Sequence, residues 1–258
     1  MSSADSKTIK IMPCLDMQNG RVVKGVQFVD IRDAGDPVEC CAAYCEAGAD
    51  EIALLDITAT VEGRATMLEV VKRVAPVATI PFSVGGGISD VSVAASVLDA
   101  GADRITVSSA AFRNPQVVKD MVQEFGSERV TVAVDAAENK ALPSGYEVFI
   151  DGGRTATGKD AIEWIKTIDG FGAGTILPTS KTKDGVKSGY DLPLIQKTAA
   201  VTGAQVIASG GAGTMQHFKE AVEAGASILL AASVFHFKTI QIPELKQYLR
   251  DEGISVSM

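Results

Sequence analysis

Two carboxylates, Asp16 and Asp135, each follow an apolar run, Met12-Pro13-Cys14-Leu15 and Val132-Ala133-Val134. An acid at the rim of a low-dielectric core is pushed toward the pKa range useful for proton transfer. Two such acids on opposite faces of one substrate could act as base and acid in the same turnover. Nothing in the spacing says which is which. Taken singly, each aspartate reads equally well as a turn residue at a strand end. As a matched pair they favour acid/base chemistry.

A second pattern surrounds them. Gly85-Gly86-Gly87, Ala100-Gly101-Ala102 and Ser108-Ser109-Ala110 recur in the same register as Ser209-Gly210-Gly211, Ala224-Gly225-Ala226 and Ala232-Ser233-Val234. Glycine lets backbone N–H groups approach an anion with no Cβ in the way, and the small residue after the next strand starts a helix facing the same point. The expected ligands are Gly87, Ser108 and Ser109 at one clamp, and Gly211, Ala232 and Ser233 at the other. Asp184-Gly185 would help seat the second anion through the Gly185 amide. The bland alternative is that these glycines only permit tight turns. Two copies of one anion site predict a ligand with a phosphate at each end.

These groups need a scaffold that sets them facing one another. Short β-branched runs alternate with amphipathic segments throughout. Strands are expected at 9–14, 51–55, 81–84, 104–107, 130–134, 175–178, 205–208 and 228–230, with helices at 37–47, 65–74, 91–100, 115–125, 159–167, 192–199, 215–224 and 243–250. Eight strands each followed by a helix, with no linker, predict one (β/α)8 TIM barrel over 1–258, built as two repeated halves with a polar tail at 1–8. In such a ring the two clamps lie on opposite sides of the mouth, about 15 Å apart. Asp16 and Asp135 project from facing strands between them. Two long insertions also reach the mouth: a polar loop at 17–33, carrying Lys24 as a mobile cation, and residues 136–158, where YEVFID and Gly152-Gly153 predict a hairpin.

Composition narrows the partners. The net charge of −8 argues against non-specific nucleic-acid binding, though not against a phosphate held by backbone amides. No apolar run reaches membrane-spanning length, and the expected location is the cytoplasm. Cys14, Cys40, Cys41 and Cys45 lack zinc-ligand spacing, and the histidines His217 and His236 have no carboxylate at ligand spacing. No metal or organic cofactor is expected. Trp164 reads as packing, and Asp56 as a hydrogen-bonding partner of neighbouring loops.

Cys14-Leu15-Asp16, Gly20-Arg21-Val22-Val23-Lys24-Gly25, Gly85-Gly86-Gly87-Ile88, Lys187-Ser188-Gly189-Tyr190-Asp191 and Ala231-Ala232-Ser233-Val234-Phe235-His236-Phe237 together resemble the HisF family, the cyclase subunits of imidazole glycerol phosphate synthase. The resemblance implies a substrate with two phosphates, PRFAR, which ammonia converts to imidazole glycerol phosphate and AICAR. It implies Asp16 and Asp135 as the acid/base pair and Lys24 as the loop cation. It further implies a glutaminase partner, HisH, on the N-terminal barrel face, feeding ammonia past a charged ring of Lys10, Glu51 and Arg104. At the ring's fourth position Thr175 stands where relatives carry an acid, and Lys181-Thr182-Lys183 departs from the family pattern beside Asp184-Gly185. Rival readings are the sister isomerase HisA, a paralogue that amidates a surface sugar, and a catalytically silent subunit.

Overall fold

The computed structural model describes residues 8–26, 29–57 and 68–257, and the side chains of these except 24–26 and 29–33. The strands are β1 (Lys10–Gln18), β2 (Arg21–Val26), β3 (Val29–Gly35), β4 (Ile52–Asp56), β5 (Phe82–Gly85), β6 (Arg104–Val107), β7 (Val130–Glu138), β8 (Tyr146–Ile150), β9 (Thr155–Asp160), β10 (Thr175–Ser180), β11 (Gln205–Ala208) and β12 (Ile228–Ala231). Parallel pairing runs β1–β4–β5–β6–β7–β10–β11–β12 and returns to β1, so eight strands close into a barrel. The expected TIM barrel is the observed fold.

The helices are α1 (Pro37–Glu46), α2 (Leu68–Val74), α3 (Val91–Asp99), α4 (Ser109–Arg113), α5 (Gln116–Phe125), α6 (Ala161–Gly170), α7 (Leu192–Ala199), α8 (Met215–Glu223), α9 (Ser233–His236) and α10 (Ile242–Asp251). Aspartates begin several of them. Asp36, Asp90, Asp160 and Asp191 each accept a hydrogen bond from a first-turn amide of α1, α3, α6 and α7. Each such cap is worth about 1 kcal/mol, which fixes where the chain leaves the βα turn. Among the described residues no helix is long and apolar enough to cross a membrane.

Period-two alternation sorts the strand residues. One face packs outward on the helices in a large cluster that includes Ile52, Val84, Ile105, Val132 and Ile176. The other fills the barrel with Met12, Cys14, Ala53, Leu177, Ile207, Ile228 and Leu230. Met12, Cys14 and Asp16 fall on the inward stripe of β1, and Thr131, Ala133 and Asp135 on that of β7. The acids therefore stand at the top of a packed core, on strands half a ring apart.

The two insertions fold differently from each other. Residues 136–158 make the expected hairpin: β8 pairs antiparallel with β7 and with β9 around a turn at Asp151–Arg154. The described residues of the segment 17–33 form strands and a tight turn instead of the expected loop. β1 runs on to Gln18, turns at Asn19 and Gly20 (φ 52° and 74°), and pairs with β2, which pairs with β3. Asn-Gly is the pair best suited to such a two-residue turn, and Val22-Val23 supply strand propensity. The backbone of Lys24 thus lies in a strand, and its side chain is outside the described residues. The first part of the helix expected at 65–74 is also outside them.

Candidate active site

At the C-terminal end of the barrel lies one cavity of about 640 Å³. Its wall brings together Asp16, Asp135, Gly87, Ser108, Ser109, Asp184, Gly185, Gly211, Ala232 and Ser233. Of the residues assigned by sequence to the mouth, this leaves only Lys24, whose side chain is not described.

The first clamp is shaped by close backbone approach. Gly86 adopts φ 98°, and a Cβ there would fall 2.4 Å from the Asp56 carbonyl oxygen. Only glycine fits, so β5 ends tight against the end of β4. Across the mouth, Gly211 has φ 105°, and a Cβ would meet the Gly189 carbonyl oxygen at 2.2 Å. Gly189 N–H in turn donates to the Gly211 carbonyl at 2.9 Å. The loop after β10 is thereby folded onto the second clamp, with Asp184 against Gly210. The helices that follow, α4 and α9, have only five and four residues. Individual N–H groups, more than an axial dipole, must carry any anion contact there.

Ser109 is more constrained than its sequence suggested. Its Oγ accepts the Asp151 N–H at 2.9 Å, and Arg113 Nη2 binds the Asp151 carboxylate at 2.6 and 2.8 Å. The turn of the β8–β9 hairpin is thus tied to the first clamp. Arg113, Asn114, Thr179 and Lys187 also line the cavity and were given no role by sequence. Lys187 stood in a family motif; the signal of the other three was position, each within a few residues of a clamp or of a strand's C-terminal end.

The acids sit in different surroundings. Asp16 Oδ1 accepts from Cys14 Sγ at 3.2 Å. Asp135 stands opposite Phe149 on β8 and Thr179 on β10. Burial, reinforced by the Asp184 charge and partly offset by Lys181, pushes the Asp135 carboxyl up to about 6. That places it where proton exchange near neutrality costs little. Asp56 abuts Gly86 through its backbone, in keeping with a supporting place.

At the N-terminal end of the barrel, Glu51 is buried and holds Lys10 through one carboxylate oxygen at 2.5 Å and Arg104 through the other. Arg104 Nε also donates to the Glu128 carbonyl at 3.0 Å. Thr175, likewise buried, stands in register between Thr131 and Gln205. One carboxylate therefore serves both cations. The Glu51→Ala variant is expected to lose about 2–4 kcal/mol in denaturant titration, somewhat softened because Lys10 and Arg104 reach solvent. A loss below 1 kcal/mol would show that the ion pairs add little.

Other residues settle into packing. Trp164 meets Phe112 edge-on at 5.3 Å, and none of the four cysteines is in a disulfide. Nδ1 of His217 accepts from the Gly213 and Thr214 amides. Among the described residues no three His, Cys, Asp or Glu side chains form a group that could hold a metal.

The chain matches the histidine biosynthesis protein family over residues 10–241. It is 50% identical over 252 residues to a Clostridium botulinum protein named imidazole glycerol phosphate synthase subunit HisF, covering 97% of this chain and 99% of that one. Proteins of the same name from Wolinella succinogenes and Pyrobaculum aerophilum are also 50% identical, each over 96% of this chain and 98% of its own length.

Proposed function

The chain belongs to the histidine biosynthesis protein family, among the imidazole glycerol phosphate synthase HisF subunits, and on that premise we propose how its cavity carries out the cyclase reaction. The substrate is PRFAR, held by one phosphate at Gly87, Ser108 and Ser109 and by the other at Gly185, Gly211, Ala232 and Ser233. Asp184 holds the loop that presents the Gly185 amide. Ammonia attacks the middle of the molecule, which is cleaved and closed to imidazole glycerol phosphate with release of AICAR. Asp16 and Asp135 take and return the protons of imine addition and elimination, and Lys24 covers the mouth as a cation. The observation that carries this reading is the placement of both acids in one cavity between two glycine-built clamps.

A glutaminase subunit, HisH, docks on the opposite face and delivers ammonia past Lys10, Glu51, Arg104 and Thr175. Support comes from the word subunit in the relatives' names and from the charged cluster around Glu51. With Thr175 in the fourth position, that ring has one acid for two cations. No metal or organic cofactor enters this scheme, because two carboxylates suffice for the proton transfers. The chemistry is placed in the cytoplasm.

The test mixes purified protein with PRFAR and an ammonium salt at alkaline pH and follows AICAR. Ammonia-dependent release is expected without any glutaminase. Substrate consumption that ignores ammonia would instead favour an isomerase, and no consumption a silent subunit.

A further inference from the structure

β10 ends in Thr179-Ser180, Lys181 follows it into the turn, and the register there is informative. Thr179 pairs with Asp135 on β7, and Asp135 pairs on its other side with Phe149 on β8. Cross-strand pairing therefore gives Asp135, Thr179 and Phe149 one common face, with Lys181 as the first residue beyond the strand. Lys181 N–H donates to the Ala136 carbonyl at 2.9 Å, which anchors its backbone one step beyond Asp135. Its Nζ lies 3.7 Å from the centroid of the Phe149 ring, on the residue directly opposite Asp135. The stem crosses Gly153, where a Cβ would come within 3.3 Å of Lys181 Cε. A lysine merely dissolved in water needs neither the ring nor the gap. This one is half-buried with its ammonium seated on an aromatic face.

We propose that Lys181 is a positioning residue of the active site: its ammonium, seated on Phe149, holds Asp135 in the ionised form and fastens the β8–β9 hairpin to β10. The inference rests on reading Asp135 as an acid/base group. The charges around Asp135 leave this task to Lys181. On the loop after β10, Asp184 repels a second negative charge, and Lys183 sets its Cβ close to Gly211. On β8, Glu147 is taken up by the Asn139 side chain and the Gly158 amide. The end of β6 offers only the uncharged Ser108 and Ser109, and Arg113 beyond them is bound to Asp151. Across the cavity Asp16 is a second acid, and the other cation of the wall, Lys187, has its Nζ 5.8 Å from the Phe237 ring centroid. Burial and Asp184 push the Asp135 carboxyl up, and Lys181 is the cation that draws it down.

The experiment compares wild type, Lys181→Met and Lys181→Arg by 13C NMR of Cγ-labelled aspartate, with the Asp135 resonance assigned from Asp135→Asn. Methionine keeps the unbranched stem and its contact with the ring while removing the charge. In Lys181→Met the Asp135 titration is expected to move upward by about half a unit to one unit, and arginine is expected to restore it. The limb of kcat/KM that Asp135 governs should move with it. A purely structural lysine would lower the melting temperature and leave the titration in place; that result overturns the proposal. Should Lys181→Met not fold, Phe149→Leu removes the seat and keeps the charge. Its expected shift is smaller and in the same direction, and no shift overturns the proposal equally. Full turnover in Asp135→Asn would instead defeat the acid/base reading, an outcome separate from the titration.

Discussion

Replacing Asp135 with asparagine is expected to cut ammonia-dependent turnover about a thousandfold, the scale of a lost general acid or base. Asparagine keeps the shape and loses the exchangeable proton. The same change should firm the fold above pH 6. The carboxyl is raised from 3.8 to about 6 in the folded protein, so its burial costs nothing below pH 3.8, where both states are protonated. The cost grows between those values and is complete above about 6. A neutral amide removes it, for a gain on the order of 1–3 kcal/mol at pH 8. Lower activity with equal or higher stability is the signature of a group retained for chemistry. The direction of the pH limb then assigns the role. A base loses activity as pH falls through about 6, and an acid loses it as pH rises through the same value. These profiles must be taken at constant free ammonia, since ammonia itself protonates over the range. Turnover in Asp135→Asn within tenfold of wild type would remove Asp135 from the mechanism.

The acids and glycines were legible in the sequence because local rules place them. Asp16 and Asp135 end apolar runs, and period-two alternation alone turns both inward once the strands are right. Gly86 and Gly211 stand where strand meets turn, a position that left-handed backbone marks. The β2–β3 ribbon was missed because polar residues and length were given more weight than Asn19-Gly20 beside Val22-Val23. Contacts between separate elements were illegible for a different reason. The seat of Lys181 needs β10, Phe149 on β8 and the gap at Gly153 at once. Likewise the tie from Arg113 through Asp151 to Ser109 joins α4 to a hairpin turn far along the chain. No window of sequence contains such partners. The Lys10–Glu51–Arg104 cluster was named only through family resemblance, and the structure adds that Glu51 serves both cations.

Gly211→Ala is expected to be the most damaging small substitution at the mouth. Two costs add. An alanine at φ 105° leaves the region open to L-residues, a penalty of about 1–2 kcal/mol. Its Cβ would also sit 2.2 Å from the Gly189 carbonyl oxygen and 3.3 Å from Lys183 Cβ. Backbone cannot rotate away as a side-chain tip can, so the loop after β10 must lift off the second clamp. That motion breaks the Gly189 N–H to Gly211 carbonyl bond and carries Asp184 away from Gly210. The total loss is expected at about 3–5 kcal/mol, read as a fall in the denaturation midpoint. On the proposed function, whatever folds should bind substrate at least tenfold more weakly, because the loop carrying the Gly185 amide would be displaced from Gly211. Gly48→Ala separates the two costs. Gly48 also has positive φ, 78°, but a Cβ there meets nothing within 4 Å. It should lose only about 1 kcal/mol and leave turnover unchanged. Equal stability losses in the two variants would mean that the crowding at Gly211 is relieved by a loop movement too small to matter. The second clamp would then owe nothing to the absence of a side chain there.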